Sequence, residues 1–425
     1  MRRIAASLIA LWLFIGASPL SAGQDRQRML DLLHISALRP GVSGNPAAPN
    51  AANYDESKAG PTSPLPEPLR FKDGRPVATP AQWALRRREI LADFENEIYG
   101  HVPRRLPAIH WRVNARSIDA ATGAVTTLAI GHAGGTGAAA IDIQLSLTLP
   151  PMEPGRRIPV VLQIGWNRVF PGMASTWREQ VLAKHWGAAM MVATSVQPDD
   201  GGGLDEGIVG LGNHGKPRRP DQWGALRAWA WGASRALDYL ATLPGVDARR
   251  LAIMGHSRYG KAALVAMAFD PRFAAAFISS SGAGGANLYR RNFGEQIENL
   301  ASASEYHWFA GNFLKYAGPM TAEDLPVDSH ELIALCAPRP VFIGAGATHG
   351  DGWVDARGMF LAEVSAGPVY RLLGARDLGT SQMPPMGSAL TDGDLAFRQH
   401  DGGHTPEPNW PAFLAFAQRY LDKSP

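Results

Sequence analysis

A short apolar run, Leu251-Ala252-Ile253-Met254, ends in Gly255-His256-Ser257 and passes at once into Arg258-Tyr259-Gly260-Lys261 and the alanine-rich stretch Ala262–Met267. Strand, sharp turn and helix form the setting in which a serine hydroxyl stands free above a sheet. At the start of a helix the backbone N–H groups and the helix dipole favour developing negative charge. A serine so placed can open an ester by nucleophilic attack if a base removes its proton. Gly255 is the small residue such a turn needs, whereas Tyr259 stands where the G-x-S-x-G pattern has its second small residue and Gly260 follows one position late. A serine that only caps the helix is the plainer alternative, so the partners decide.

In a chain of this pattern the acid and then the histidine follow the serine. His400-Asp401-Gly402-Gly403-His404-Thr405 precedes an apolar-faced segment, Trp410–Leu421, that reads as a last helix. The two glycines free a loop to carry His404 toward Ser257, which makes His404 the expected base and His400 its rival. The acid should follow the apolar run Pro340–Gly344, and there Asp351 and Asp355 both qualify. Asp351 is preferred because it lies nearer the strand end in a glycine-flanked turn. Its task would be to hold the tautomer of His404 and stabilise the imidazolium. The backbone N–H of Arg258 is one oxyanion donor. Arg258 and Lys261, one and four residues after the serine, bring two positive charges to the same helix start; these suit an oxyanion and a polar sugar better than a fatty chain.

The elements that must position these groups are legible as alternating runs. Ile158–Ile164, Ala188–Thr194, Leu251–Met254, Ala274–Ile278, Pro340–Gly344 and Pro368–Leu373 read as buried strands, and Asp221–Leu240 as a long helix between the second and third. Strands alternating with helices predict a mostly parallel sheet covered on both faces. With the serine turn, this is an α/β-hydrolase fold, a three-layer αβα sandwich. Residues 109–149 read as β-rich. Gln82–Tyr99 places Trp83, Leu85, Ile90, Leu91, Phe94 and Ile98 at helical spacing, with Gly100 to end the helix. The proline-rich residues 23–68 read as an extended N-terminal strap, and residues 69–425 as one catalytic domain. Arg2 and Arg3, the apolar Ile4–Ala17 and Ser18-Pro19-Leu20-Ser21-Ala22 have the form of a signal peptide spanning residues 1–22, so an exported chain, periplasmic or secreted, is expected. No later segment reaches the ~20 apolar residues that span a bilayer.

Taken together these motifs resemble the glucuronoyl esterases, carbohydrate esterase family 15, which cleave esters between glucuronic acid carboxyls on xylan and alcohols, including those of lignin. Gly255-His256-Ser257-Arg258-Tyr259-Gly260-Lys261 is similar to that family's serine elbow. Trp223–Leu240, Ser281–Gly285, Arg290-Arg291, Gly294-Glu295, His307-Trp308-Phe309, Leu325–Leu332, Ala337-Pro338-Arg339-Pro340 and Asp351-Gly352-Trp353-Val354-Asp355 follow in the family's order. Leu69–Pro103 is also similar, so the likeness covers most of residues 65–425. It implies that the Arg258 guanidinium joins the oxyanion site, that Lys261 and Glu295 hydrogen-bond sugar hydroxyls, and that Trp353 binds the ring region. Some members carry the catalytic acid where Ser279-Ser280-Ser281 stand here, and Tyr259 is bulkier than its counterpart in many members.

Composition narrows the alternatives. The 425 residues carry 41 Lys+Arg against 38 Asp+Glu, a net charge of +3, with arginines scattered rather than clustered, which gives no case for nucleic acid. The single cysteine, Cys336, excludes an internal disulfide and reads as a buried structural thiol. No metal or other cofactor is expected, since His330-Glu331 lacks a second histidine four residues after the first, where Ala334 stands. The expected partner is carbohydrate, met by a monomer without membrane attachment after cleavage of the leader. A glucuronoyl esterase leads the readings; an acetyl-xylan or other carbohydrate esterase comes next, and a non-catalytic sugar-binding protein third.

Overall fold

The apolar runs singled out above become neighbouring strands of one sheet in a computed structural model that describes residues 21–60, 63–134, 140–166 and 176–422. Its ten strands are β1 (His110–Ile118), β2 (Val125–Gly134), β3 (Ala140–Leu149), β4 (Ile158–Gly165), β5 (Gly187–Val192), β6 (Val246–His256), β7 (Ala275–Ser279), β8 (Val341–Ala345), β9 (Ala389–Leu390) and β10 (Leu395–Gln399). The spatial order is β1-β2-β3-β5-β4-β6-β7-β8-β10-β9. The centre, β5-β4-β6-β7-β8-β10, is parallel. Antiparallel pairs flank it on both sides.

Parallel strands buried on both faces need apolar side chains pointing both ways, and β4, β7 and β8 supply them. On one face pack the helices Ala225–Thr242, Arg258–Phe269 and Ala356–Leu372; on the other a smaller layer joins Trp177, Phe277, Phe342, Trp410 and Phe413. This is the expected α/β-hydrolase sandwich.

Two readings of the sequence need correction. Pro368–Leu373 is not a strand: it closes the helix Ala356–Leu372, with Pro368 inside it. Met359, Phe360, Ala362, Ala366, Val369 and Tyr370 are all buried, a helical spacing that a six-residue window around Val369 does not reveal. The strand expected there is β10, parallel to β8. The second concerns the strap. It begins with a helix, Ala22–Leu32, started by a reciprocal Ser21/Gln24 cap and anchored by the buried Met29 and Leu30. A cap and two apolar residues suffice to order this stretch against the main core. The expected leader lies outside the described residues except for Ser21 and Ala22. The helix expected at Gln82–Tyr99 runs from Pro80 to Asp93 and continues as a π-helical turn to Tyr99, ended by Gly100. Cys336 is buried, and burial pushes its thiol up to about 11, so it holds its proton at neutral pH. No described helix is long and apolar enough to cross a membrane.

Candidate active site

Ser257 sits between β6 and the helix Arg258–Phe269 with φ 58° and ψ −132°. A non-glycine residue in that region stores of order 1–3 kcal/mol of backbone strain. The strain is held by neighbours: Ser257 N–H donates to the Ser279 carbonyl at 2.9 Å, and the Ser257 carbonyl accepts Gly260 N–H at 2.8 Å. Gly255 is required because a Cβ there would collide with the Tyr259 carbonyl. Tyr259 does not enter the cleft. Its ring packs 5.2 Å from Trp229 and 5.8 Å from Trp166, which explains how a bulky residue is accommodated in the elbow.

Ser257 opens on a cavity of about 600 Å³ that Arg258, Lys261, Glu295, Asp351, Trp353 and His404 also line. Asp351 follows β8, on the short helical turn Thr348–Asp351, and His404 lies in the loop after β10. These two loops meet at glycine: a Cβ on Gly346 would collide with the Gly403 carbonyl, and Ala347 N–H donates to the Gly402 carbonyl at 2.8 Å. The close approach brings His404 Nδ1 to 2.5 Å from Asp351 Oδ1. The other carboxylate oxygen, Oδ2, accepts Ser280 Oγ–H at 2.6 Å and Gly346 N–H at 2.7 Å. Three donors therefore fix one buried carboxylate.

The rivals do other work. Asp355 takes a left-handed φ of 51°, caps the helix Ala356–Leu372 by accepting Gly358 N–H at 2.9 Å, and pairs with Arg291 Nε at 2.6 Å. His400 is buried: its Nδ1 accepts Gly402 N–H and its Nε2 donates to the Thr405 carbonyl, each at 3.0 Å. It braces the loop that presents His404. His256, whose ring centroid is 4.4 Å from that of His404, has its pKa lowered to about 4 by burial and by His404. It stays neutral near pH 7 and adds no competing charge beside His404.

Two cations flank Ser257, each held by its own carboxylate. Arg258 Nη1 donates to Asp199 Oδ2 at 2.7 Å, and its guanidinium lies 5.1 Å over the Trp308 ring. Burial opposes ionisation of Asp199, but hydrogen bonds from His307 and Trp308 and the charge of Arg258 outweigh it and hold its pKa down at about 2. Lys261 is buried; its Nζ donates to Glu295 Oε2 at 2.7 Å and to the Ala283 carbonyl. Glu295 Oε1 accepts Trp353 Nε1–H at 3.3 Å, and Glu295 N–H donates to the Trp353 carbonyl at 2.9 Å. Lys261, Glu295 and Trp353, far apart in sequence, thus form one hydrogen-bonded unit beside the serine.

The cleft and the side chains that hold its lining residues also include groups that sequence reasoning missed. Ser280, Asp199 and Glu305 carry no motif of their own, and His307-Trp308 had no role attached. Gly44, Pro46 and Tyr54 of the N-terminal segment line the same cavity. That segment is tied down by Asn299 Nδ2 to the Val42 carbonyl (2.8 Å), Gly294 N–H to the Asn53 carbonyl (3.0 Å) and Arg291 to Glu56 (2.6 Å). Among the described residues no cluster of three His, Cys, Asp or Glu could hold a metal ion. A hydroxyl, an imidazole and a buried carboxylate around a cleft that also holds Arg258 and Lys261 can carry out acyl transfer, with the hydroxyl as nucleophile.

Comparison with known proteins agrees. Residues 218–374 match the family model described as glucuronyl esterase, fungi. The chain is similar to a glucuronoyl esterase of carbohydrate esterase family 15 from Teredinibacter turnerae, at 46% identity over 94% of this chain and 99% of that one, with a TM-score of 0.88. It is 32% identical to carbohydrate esterase MZ0003 from an unknown prokaryotic organism, across 88% of this chain and 93% of that protein. It is 28% identical to 4-O-methyl-glucuronoyl methylesterase 1 of Wolfiporia cocos, across 74% and 73%. The chain belongs to the glucuronoyl esterase family, carbohydrate esterase family 15, and is a carboxylic-ester hydrolase.

Proposed function

We propose that this protein hydrolyses esters of glucuronic acid on glucuronoxylan, including those to lignin alcohols, through an acyl-enzyme on Ser257. The observation that carries the reading is the 2.5 Å His404–Asp351 contact on the cavity that Ser257 enters from a strained elbow. In this reading His404 removes the Ser257 proton as Oγ attacks the ester carbonyl. Asp351 keeps Nδ1 protonated so that Nε2 is the basic nitrogen. The Arg258 N–H and guanidinium take the oxyanion charge, and the imidazolium gives its proton to the departing alcohol. Water, activated by the same histidine, then releases glucuronate. Lys261, Glu295 and Trp353 read the sugar: a buried ion pair offers both donor and acceptor to ring hydroxyls, and the indole offers a flat apolar surface. The family's substrate is carbohydrate, and the methylesterase name of the Wolfiporia relative points to a glucuronoyl acyl group.

The N-terminal Arg2-Arg3 and apolar Ile4–Ala17 support export to the periplasm or medium. The functional test compares turnover of methyl glucuronate with that of acetylated xylose. Faster release of methanol, abolished in Ser257→Ala with the fold retained, is the expected result. Faster acetate release would replace the glucuronoyl assignment with a deacetylase.

A further inference from the structure

The cleft holds more carboxyl groups than it has lysines and arginines to pair them. Arg258 and Lys261 line it, and each is already engaged, by Asp199 and Glu295 at 2.7 Å. Glu305 lines the same cavity from the turn that leads into Tyr306–Trp308. Its Oε2 is buried without a hydrogen-bond partner, and no ion pair reaches it among the described residues. Burial and then the charge of Glu295 push its pKa up to about 7, against the pull of Lys261 and Arg258. The carboxyl thus changes charge in the range where the enzyme would work.

Ester hydrolysis creates a charge at the point of cleavage. The substrate carbonyl is neutral; the product is a carboxylate, and every unesterified uronic acid on the same polymer presents the same anion. Arg258 and Lys261 would retain that anion in a cleft whose other carboxylates are spent on pairing. We propose that Glu305 is the residue by which the cleft distinguishes the neutral glucuronoyl ester from the free acid, its unpaired carboxylate repelling the product anion while leaving the ester untouched. The inference rests on the glucuronoyl reading above. Glu305 is a specificity residue here; no bond is made or broken at it.

The sign follows from linkage. As pH rises through Glu305's titration the carboxylate forms, repulsion grows, and the free acid binds more weakly. Several other groups face the same space. Arg258 and Lys261 come from the elbow helix and Glu295 from the loop after β7, while Asp199, from the loop after β5, pairs with Arg258 and with His307 of Glu305's own turn. His349, Asp351 and His404 stand across the cavity. Because these groups surround Glu305, the pH profile of the wild type alone does not isolate it. A variant and a neutral ligand do.

The experiment follows inhibition of p-nitrophenyl acetate turnover by glucuronate and by its neutral amide from pH 5.5 to 8.5. It uses the full chain and its Glu305→Gln variant, which keeps the shape and removes the charge. Near pH 8 the variant should bind glucuronate about three- to tenfold more tightly than the wild type, as one unneutralised charge across a partly solvated cleft predicts. The amide should bind both proteins within a factor of two. An unchanged glucuronate-to-amide ratio in Glu305→Gln overturns the inference while leaving the glucuronoyl reading intact. Equal shifts for both ligands overturn it as well, because they mark a structural role. If neither sugar inhibits the wild type, the glucuronoyl reading fails and the inference with it. Should Glu305→Gln fold poorly, Glu305→Ala is held to the same ratio.

Discussion

One side of the cleft is built from the carboxyl ends of parallel strands, the other from segments without a repeating backbone pattern. Ser257 follows β6, Ser280 follows β7, Asp351 follows β8 and His404 follows β10, four strands of one continuous parallel region. The rest of the lining includes Tyr54 and Pro46 from the N-terminal segment, Trp353 from a 3-10 turn and Glu305 from a cap. The strand-end side brings Ser280, Asp351 and His404 into hydrogen-bond contact, because each loop starts from a hydrogen-bonded ladder. The opposite side is a set of surfaces and charges whose job, in our reading, is to hold a sugar. If, as proposed, bond making falls to the first side and recognition to the second, variants on the two sides should separate kcat from KM.

The sharpest way to break that division lies in two aspartates four residues apart. Asp351 accepts from His404, and Asn at that position would offer a donor to Nδ1 and favour the wrong tautomer. Asp351→Asn should lower kcat by about 10³–10⁴-fold, the scale known for this change in serine hydrolases, with the thermal midpoint nearly unchanged. Asp355→Asn should do the reverse. Asp355 is fully buried against Arg291, and breaking such a pair costs about 3–5 kcal/mol, toward the low end here because Glu56 still pairs with Arg291. Its kcat should stay within a few fold while the midpoint falls; urea unfolding and steady-state rates decide the matter together. If Asp355→Asn abolished turnover in a folded protein, the assignment of the acid would have to move.

The same two sides explain what the sequence could reveal. A nucleophile turn is local: strand, Gly255, Ser257 and helix are contiguous, so their pattern carries their geometry. Asp351 and His404 are preferred over Asp355 and His400 by position after apolar runs, and the structure adds the contact between them, which no spacing in the chain reveals. The helix carrying Pro368 was misread because a short apolar run has no period of its own. The N-terminal segment reads as an extended strap because beyond its first helix its order comes from tertiary hydrogen bonds, such as Asn299 to Val42 and Gly294 to Asn53, which leave no spacing in the chain. Glu305 and Asp199 were invisible for a related reason. Their meaning depends on which cations are already paired.

Ser280 sharpens the comparison from the catalytic side at lower amplitude. Its hydroxyl donates to Asp351 Oδ2 at 2.6 Å. Hydrogen bonds to charged groups contribute about 1.5–3 kcal/mol, part of which Gly346 N–H would retain for the carboxylate. Ser280→Ala should therefore lower kcat roughly tenfold with KM for methyl glucuronate unchanged. A change confined to KM would mean that Ser280 touches substrate rather than orienting the acid.

The smallest effect is expected at Tyr54, on the recognition side. Its ring meets Phe293 edge-on at 5.6 Å, remains 39% exposed and lines the cavity near Trp353. An aromatic face of this kind contributes about 0.5–1.5 kcal/mol to a contact, so Tyr54→Ala should raise KM for a xylo-oligosaccharide glucuronoyl ester about two- to tenfold. Turnover of p-nitrophenyl acetate, which has no sugar to meet that wall, should not change. Because Tyr54 belongs to the N-terminal segment, equal losses on both substrates would show that the segment supports the fold of the strand-end side. The division between the two sides of the cleft would then be structural in origin and not a division of labour.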